Sequence, residues 1–133
     1  MVILDTNIII EHLRFFGGAE DRASALNKVA KRVAREGLAI STITLQELYE
    51  GKSSKEKRAE EYLLSTIAPL KILSYTYEIA QMAGEISRDA DGSVEFADAA
   101  IAATAIINGA VLYTLNKKHF QGIKQLDFWK GDN

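Results

Sequence analysis

Apolar residues in this chain alternate between short dense runs and longer stretches in which they recur every three or four positions. The short runs are Val2-Ile3-Leu4, Leu38-Ala39-Ile40-Ser41, Leu70-Lys71-Ile72-Leu73 and Ala110-Val111-Leu112-Tyr113-Thr114. Runs of this kind suit buried strands, with the third, behind the only proline, Pro69, suited to a sheet edge. Between them the spacing is helical. Ile9, Leu13 and Phe16 predict a helix capped by Thr6 or Asn7 and ended by Gly17-Gly18. Leu26, Val29 and Val33 predict another over residues 19–36, stopped by Gly37. Leu45, Leu48 and Tyr49 predict a third over 45–50, capped by Thr42 or Thr44 and stopped by Gly51. A charged stretch, 52–58, leads into a helix over 59–66. Ile79, Met82, Ala83 and Ile86 give a core face to a helix over 75–89, and Asp89-Ala90-Asp91-Gly92-Ser93 reads as a loop. The tail, 123–129, reads as an edge strand.

The helix over 96–107 breaks the amphipathic rule. Phe96-Ala97-Asp98-Ala99-Ala100-Ile101-Ala102-Ala103-Thr104-Ala105-Ile106-Ile107 is apolar or small on every face, as in a helix buried all round. Asp98 lies near its start. A carboxylate there either complements the helix dipole, an effect of about 0.3–1 kcal/mol at an exposed terminus, or holds a cation with other acids.

Strands alternating with helices predict an α/β fold with a parallel sheet covered on both faces. All strand C-termini then share one edge, where ligands bind in open sheets. Asp5, Glu47 and Asn116 each follow a strand, and Asp98 sits at a helix end that can reach the same edge. Residues far apart in sequence are thus gathered at one place. Each also has a plainer reading: Asp5 as a helix cap, Glu47 as a solvated helix acid, Thr6, Asn7 and Thr114 as cap and turn residues.

Composition narrows the chemistry. A length of 133 residues predicts one domain spanning 1–133, with 47% hydrophobic and 26% charged residues. No cysteine is present, which removes disulfides and thiolate zinc sites and fits a reducing cytoplasm. No apolar run approaches the ~20 residues of a membrane span, and the N-terminal stretch lacks signal-peptide character. A net charge of −2 gives no global attraction for nucleic acid, so any such binding must be local. Lys117, Lys118 and Lys124, and Lys52, Lys55, Lys57 and Arg58, are candidates for phosphate contacts, although charge runs are usually solvated faces. There is no phosphate-binding glycine loop and no nucleophile elbow. Oxygen-only ligands suit Mg²⁺ or Mn²⁺, and a carboxylate cluster without a covalent nucleophile points to phosphodiester hydrolysis by metal-activated water.

The motifs Val2-Ile3-Leu4-Asp5-Thr6-Asn7, Leu45-Gln46-Glu47-Leu48-Tyr49-Glu50-Gly51, Asp98-Ala99-Ala100-Ile101-Ala102-Ala103 and Leu112-Tyr113-Thr114-Leu115-Asn116-Lys117-Lys118-His119-Phe120 occur in an order that resembles the PIN-domain ribonucleases, and most closely the small toxins of the VapC type. The resemblance spans almost the whole chain. It implies a three-layer α/β/α sandwich, a Mg²⁺- or Mn²⁺-dependent endoribonuclease, a homodimer and a cognate antitoxin. Cleavage would leave a 5′-phosphate and a 3′-hydroxyl. Asp5, Glu47 and Asp98 fall on the family's acidic positions. Asp5 and Asp98 would hold the metal, Glu47 would ligate it or a coordinated water, and Thr6, Asn7 and Thr114 would support these acids. Asn116 stands where many relatives carry Asp, which puts a second metal in doubt. Glu95 shares a helical face with Asp98 and either supplies that charge or is a solvated first-turn acid, the reading that acids in first turns favour. His119 reads as a surface histidine before a proton donor. Two alternatives remain: an RNA-processing nuclease of the same fold without a toxin role, and a PIN-like interaction module that does not cleave.

Overall fold

A computed structural model describes residues 1–15, 23–34 and 37–131. Four parallel strands form one sheet in the order β3-β2-β1-β4: β1 (Val2–Leu4), β2 (Leu38–Ser41), β3 (Lys71–Leu73) and β4 (Val111–Tyr113). Val2 and Ile3 pair with Leu38 and Ala39 on one side, and Val2, Ile3 and Leu4 with Val111, Leu112 and Tyr113 on the other. β3 is an edge, as its charged and exposed residues predict. The helices are α1 (Thr6–Leu13), α2 (Ala25–Arg32), α3 (Thr42–Glu50), α4 (Lys57–Ile67), α5 (Tyr77–Asp89) and α6 (Phe96–Ile107), with 3₁₀ turns at Lys52–Lys55 and Lys117–Phe120.

Alternate side chains of each strand enter opposite layers, as the pleat requires. Val2, Leu4, Leu38 and Ile40 pack with Ile8, Ile9, Val29, Leu48, Leu63 and Ile67 from α1–α4. Ile3, Ala39 and Leu112 meet Ile101, Ala102 and Ala105 of α6, with Phe120. The opposite side of α6 packs Ala99 and Ala103 on Ile79 and Ala83 of α5. That double contact is why α6 has no polar face: Ala99 to Ala105 are all buried. Small residues let sheet and helix approach it from both sides.

Several local expectations shift. The first helix is capped by Asp5, whose carboxylate accepts from Thr6 N–H, and not by Thr6 or Asn7. The third starts at Thr42, because Ser41 ends β2 and caps α3 at once, its hydroxyl oxygen accepting from Ile43 N–H at 3.0 Å. The helix expected over 19–36 is observed as Ala25–Arg32: Ser24 caps it and Val33 turns to extended backbone. Phe16, Gly17, Gly18 and residues 19–22 and 35–36 lie outside the described residues. Glu56 caps α4 and Thr76 caps α5. The tail forms no strand. It touches β4 at one bridge, Leu112 to Phe128, fixed by Leu112 N–H to the Asp127 carbonyl (2.9 Å) and Trp129 N–H to the Leu112 carbonyl (2.8 Å). Gly122, with φ of 86°, reverses the chain before it and shortens any pairing.

Candidate active site

Parallel strands bring the ends of β1, β2 and β4 to one edge. The chain runs from β1 to β2 on one side, and β4 adds on the other. Asp5 and Thr114, which follow β1 and β4, therefore straddle the point where connections diverge.

Asp5 is buried, at 5% exposure. Its Oδ1 accepts from Thr6 N–H at 2.7 Å and its Oδ2 from the Thr114 hydroxyl at 2.7 Å. The Thr114 oxygen in turn accepts from Asn116 N–H (3.0 Å) and the Asn7 amide (3.4 Å). Asn7 Oδ1 accepts from Leu115 N–H at 3.3 Å, closing a brace between α1 and the end of β4. Burial pushes the Asp5 carboxyl above its ordinary range, against the lowering pull of these bonds.

Glu47 reaches the same edge from the middle of α3. Its Oε1 accepts from the Thr6 hydroxyl at 2.6 Å. Thr6 Oγ1 also lies 3.0 Å from Oγ1 of fully buried Thr44. One proton per hydroxyl makes Thr44 the donor to Thr6 while Thr6 donates to Glu47. Thr44 was expected only as a cap; its burial behind Thr6 depends on tertiary packing that its sequence neighbours do not announce.

Asp98 stands in the first turn of α6, its side chain 16% exposed. Its carboxyl is raised from 3.8 to about 6, first by burial, then by the negative field of Asp5, with smaller pushes from Glu95 and Glu47. His119 opposes that rise: its Nδ1 lies 3.6 Å from Asp98 Oδ2. Asn116 meets His119 through its side-chain amide at 2.9 Å. Asn116 thus joins the cluster through Thr114 and His119 and not through a direct bond to a carboxylate. His119 is a surface residue, 56% exposed, and also the one imidazole beside the acids. Its spacing of three from Asn116, within one 3₁₀ turn, is the sequence signal for that pairing. Glu95 caps α6 by backbone position only, with no side-chain cap bond.

The donors are oxygens carrying surplus negative charge, which fits a hard divalent cation. Among the described residues no three acids or histidines converge closely enough to enclose an ion unaided. Water and phosphate oxygens would complete the shell, as Mg²⁺ favours.

A parallel three-layer sandwich with acids at the strand ends defines a class, and the chain belongs to the PIN domain family, whose profile matches residues 2–125. The chain is 32% identical to ribonuclease VapC10 of Mycobacterium tuberculosis, over 95% of this chain and 90% of the relative. It is 33% identical to plasmid stability protein StbB of Pseudomonas syringae, over 98% and 99% of the two chains. Its fold matches a chain of VapBC2 from Rickettsia felis bound to a DNA fragment from their promoter, with a TM-score of 0.72, 28% identity and coverage of 97% and 98%. A chain of DNA-bound VapBC from Salmonella typhimurium gives a TM-score of 0.77, 25% identity and 96% coverage of both.

Proposed function

We propose that this protein is a divalent-cation-dependent endoribonuclease, the toxin of a toxin–antitoxin pair, acting in the cytoplasm as a homodimer held in check by a cognate antitoxin. The observation that carries the reading is that Asp98 feels the charges of both Asp5 and Glu47 beside the C-terminal edge of the sheet, with Asp5 and Glu47 themselves held by threonine hydroxyls. The VapC ribonuclease relatives and VapBC neighbours support the substrate and the partner.

Asp5 and Asp98 would hold Mg²⁺ or Mn²⁺, and Glu47 would ligate it or a water on it. A bound cation supplies Lewis-acid polarisation of the phosphodiester and a more acidic attacking water. Thr114 and Thr6 fix the rotamers of Asp5 and Glu47, so that their carboxylates would meet the cation without reorganising. Asn7 and Asn116 hold Thr114 in turn. Water attacks phosphorus, the bond to the 3′-oxygen breaks, and the products are a 5′-phosphate and a 3′-hydroxyl.

The test is cleavage of a mixed pool of structured RNAs with Mn²⁺ or Mg²⁺, beside EDTA and Asp98→Asn controls. Discrete cuts that need both metal and Asp98 are expected. Folded protein free of antitoxin that cuts nothing with either metal would contradict the nuclease reading. Induced expression tests the toxin role: growth arrest is expected from the wild type and not from Asp98→Asn.

A further inference from the structure

The chain has two histidines, and they are held in opposite ways. His12 is buried, with a hydrogen bond at each ring nitrogen, to Ser24 (2.8 Å) and Tyr62 (3.0 Å). The His119 ring is 56% exposed, and its Nδ1 lies 3.6 Å from Oδ2 of the mostly buried Asp98. That distance is too long for a hydrogen bond. The Asp98 carboxylate accepts no hydrogen bond among the described residues, whereas Asp5 and Glu47 are both tied to hydroxyls. Two donor atoms side by side and not bonded to each other are what a cation can bridge. Adjacent ligands of an octahedral ion, each about 2.1 Å from it, stand roughly 3 Å apart. His119 also acts on Asp5, lowering its carboxyl as it lowers that of Asp98, so the ring adjoins both acids.

The second ring nitrogen has its own partner. Nε2 lies 2.9 Å from the Asn116 side-chain amide. Turning an amide over exchanges its nitrogen and oxygen at nearly the same positions. With nitrogen presented, Asn116 donates to Nε2, and Nδ1 keeps its proton toward Asp98. With oxygen presented, Nε2–H donates to Asn116, and Nδ1 offers a lone pair to a cation. Metal-bound imidazoles almost always have such an acceptor behind them. Asn116 is well anchored for that task. Its backbone N–H donates to the Thr114 hydroxyl that holds Asp5, and its carbonyl accepts from His119 N–H at 3.2 Å. Buried Phe120 pins the 3₁₀ turn that carries the ring.

We propose that His119 Nδ1 is a ligand of the divalent cation beside Asp5 and Asp98, oriented by the Asn116 amide, and that this nitrogen makes the site prefer Mn²⁺ to Mg²⁺. The proposal rests on the cation reading above and adds to its oxygen donors. Mg²⁺ is held by oxygens, whereas imidazole binds first-row transition ions. Asp5 is fixed, and the exposed ring closes on the ion from the other side.

The experiment uses tag-free protein at pH 7.5 loaded with Mn²⁺ alone and examined by electron spin-echo envelope modulation. Both His12 nitrogens are engaged in the core, so imidazole coupling to Mn²⁺ reports His119. Coupling is expected in the wild type and not in His119→Gln. Calorimetric titration with each cation should show His119→Gln weakening Mn²⁺ by roughly 10- to 100-fold with Mg²⁺ almost unchanged, and Asn116→Leu weakening Mn²⁺ by about tenfold. Saturable Mn²⁺ binding without nitrogen coupling in the wild type would overturn the proposal. So would an unchanged Mn²⁺-to-Mg²⁺ preference in folded His119→Gln, which would make the ring only a countercharge to Asp98. A wild type that binds Mn²⁺ and cuts RNA without that coupling sinks the imidazole ligand alone; a wild type that binds neither cation sinks the cation site with it.

Discussion

Asp5 uses its two oxygens differently. Oδ1 caps α1 through Thr6 N–H, and Oδ2 is tied to Thr114 across the sheet edge. The helix-cap and site readings of this residue are therefore not rivals, since capping orients the carboxylate for the site. Thr114 is the more revealing partner, because one hydroxyl gathers Asp5, Asn7 and the Asn116 backbone. Thr114→Val keeps the shape and removes that junction, leaving Asn116 N–H without its acceptor. Cleavage at fixed Mn²⁺ is expected to fall roughly 10- to 100-fold, as for lost supporting bonds around metal ligands, with Thr114→Ser close to wild type. An unchanged rate in Thr114→Val would mean that the brace does not position Asp5. Asp5, Glu47 and Asp98 were legible as acids beside strand ends or in a helix that otherwise excludes charge. The Thr6–Thr44–Glu47 chain and the Asn116–His119 pairing were not, because no local pattern marks which hydroxyl or ring turns inward. The exposure of Phe96 was equally hidden, since an apolar residue opening an apolar helix looks like more core.

At the scale of elements, α6 was the most readable piece, and its bounds match the apolar stretch residue for residue. Ile101 is wholly buried between its neighbours and the sheet. Ile101→Ala is expected to cost about 2–5 kcal/mol in urea unfolding, the range for an aliphatic deletion at a packed site. A loss well under 1 kcal/mol would show that α6 is not the closely packed layer described. Helix starts were read less well. Hydrophobic spacing places a helix's face and leaves its cap open among neighbouring Ser, Thr, Asn and Asp residues, so Asp5 caps in place of Thr6 or Asn7, and Ser41 in place of Thr42 or Thr44. Ser41→Ala removes the bond to Ile43 N–H and should cost about 1 kcal/mol by the same unfolding measurement. The apolar residues of the tail suggest a strand, yet a single bridge is all that the turn at Gly122 leaves.

For the molecule as a whole, the fold class followed from strand and helix alternation, and the parallel sheet carries the acids to one edge. The net charge of −2 is small, yet Asp5, Glu47, Glu95 and Asp98 concentrate negative potential locally. The folded Asp98 carboxyl, at about 6, binds its proton more tightly than the unfolded residue at 3.8. Folding is therefore favoured by protonation at low pH, and stability is lost as pH rises from about 4 to 6, then levels off. Asp5, shifted in the same direction, adds to that slope. In EDTA, the slope of the thermal midpoint between pH 4 and 6 should be shallower in Asp98→Asn than in wild type, and Asp98→Asn should be the more stable protein at pH 7.5. Equal slopes would place the Asp98 shift in doubt.

Asp5 and Asp98, distant in sequence, are proposed to form one divalent-cation site. Calorimetric titration with Mn²⁺ at pH 7.5, on wild type, Asp5→Asn and Asp98→Asn, tests it most directly. A saturable site is expected in the wild type, with at least tenfold weaker binding in each variant. Wild-type affinity retained in both variants, with each confirmed as folded, would contradict it.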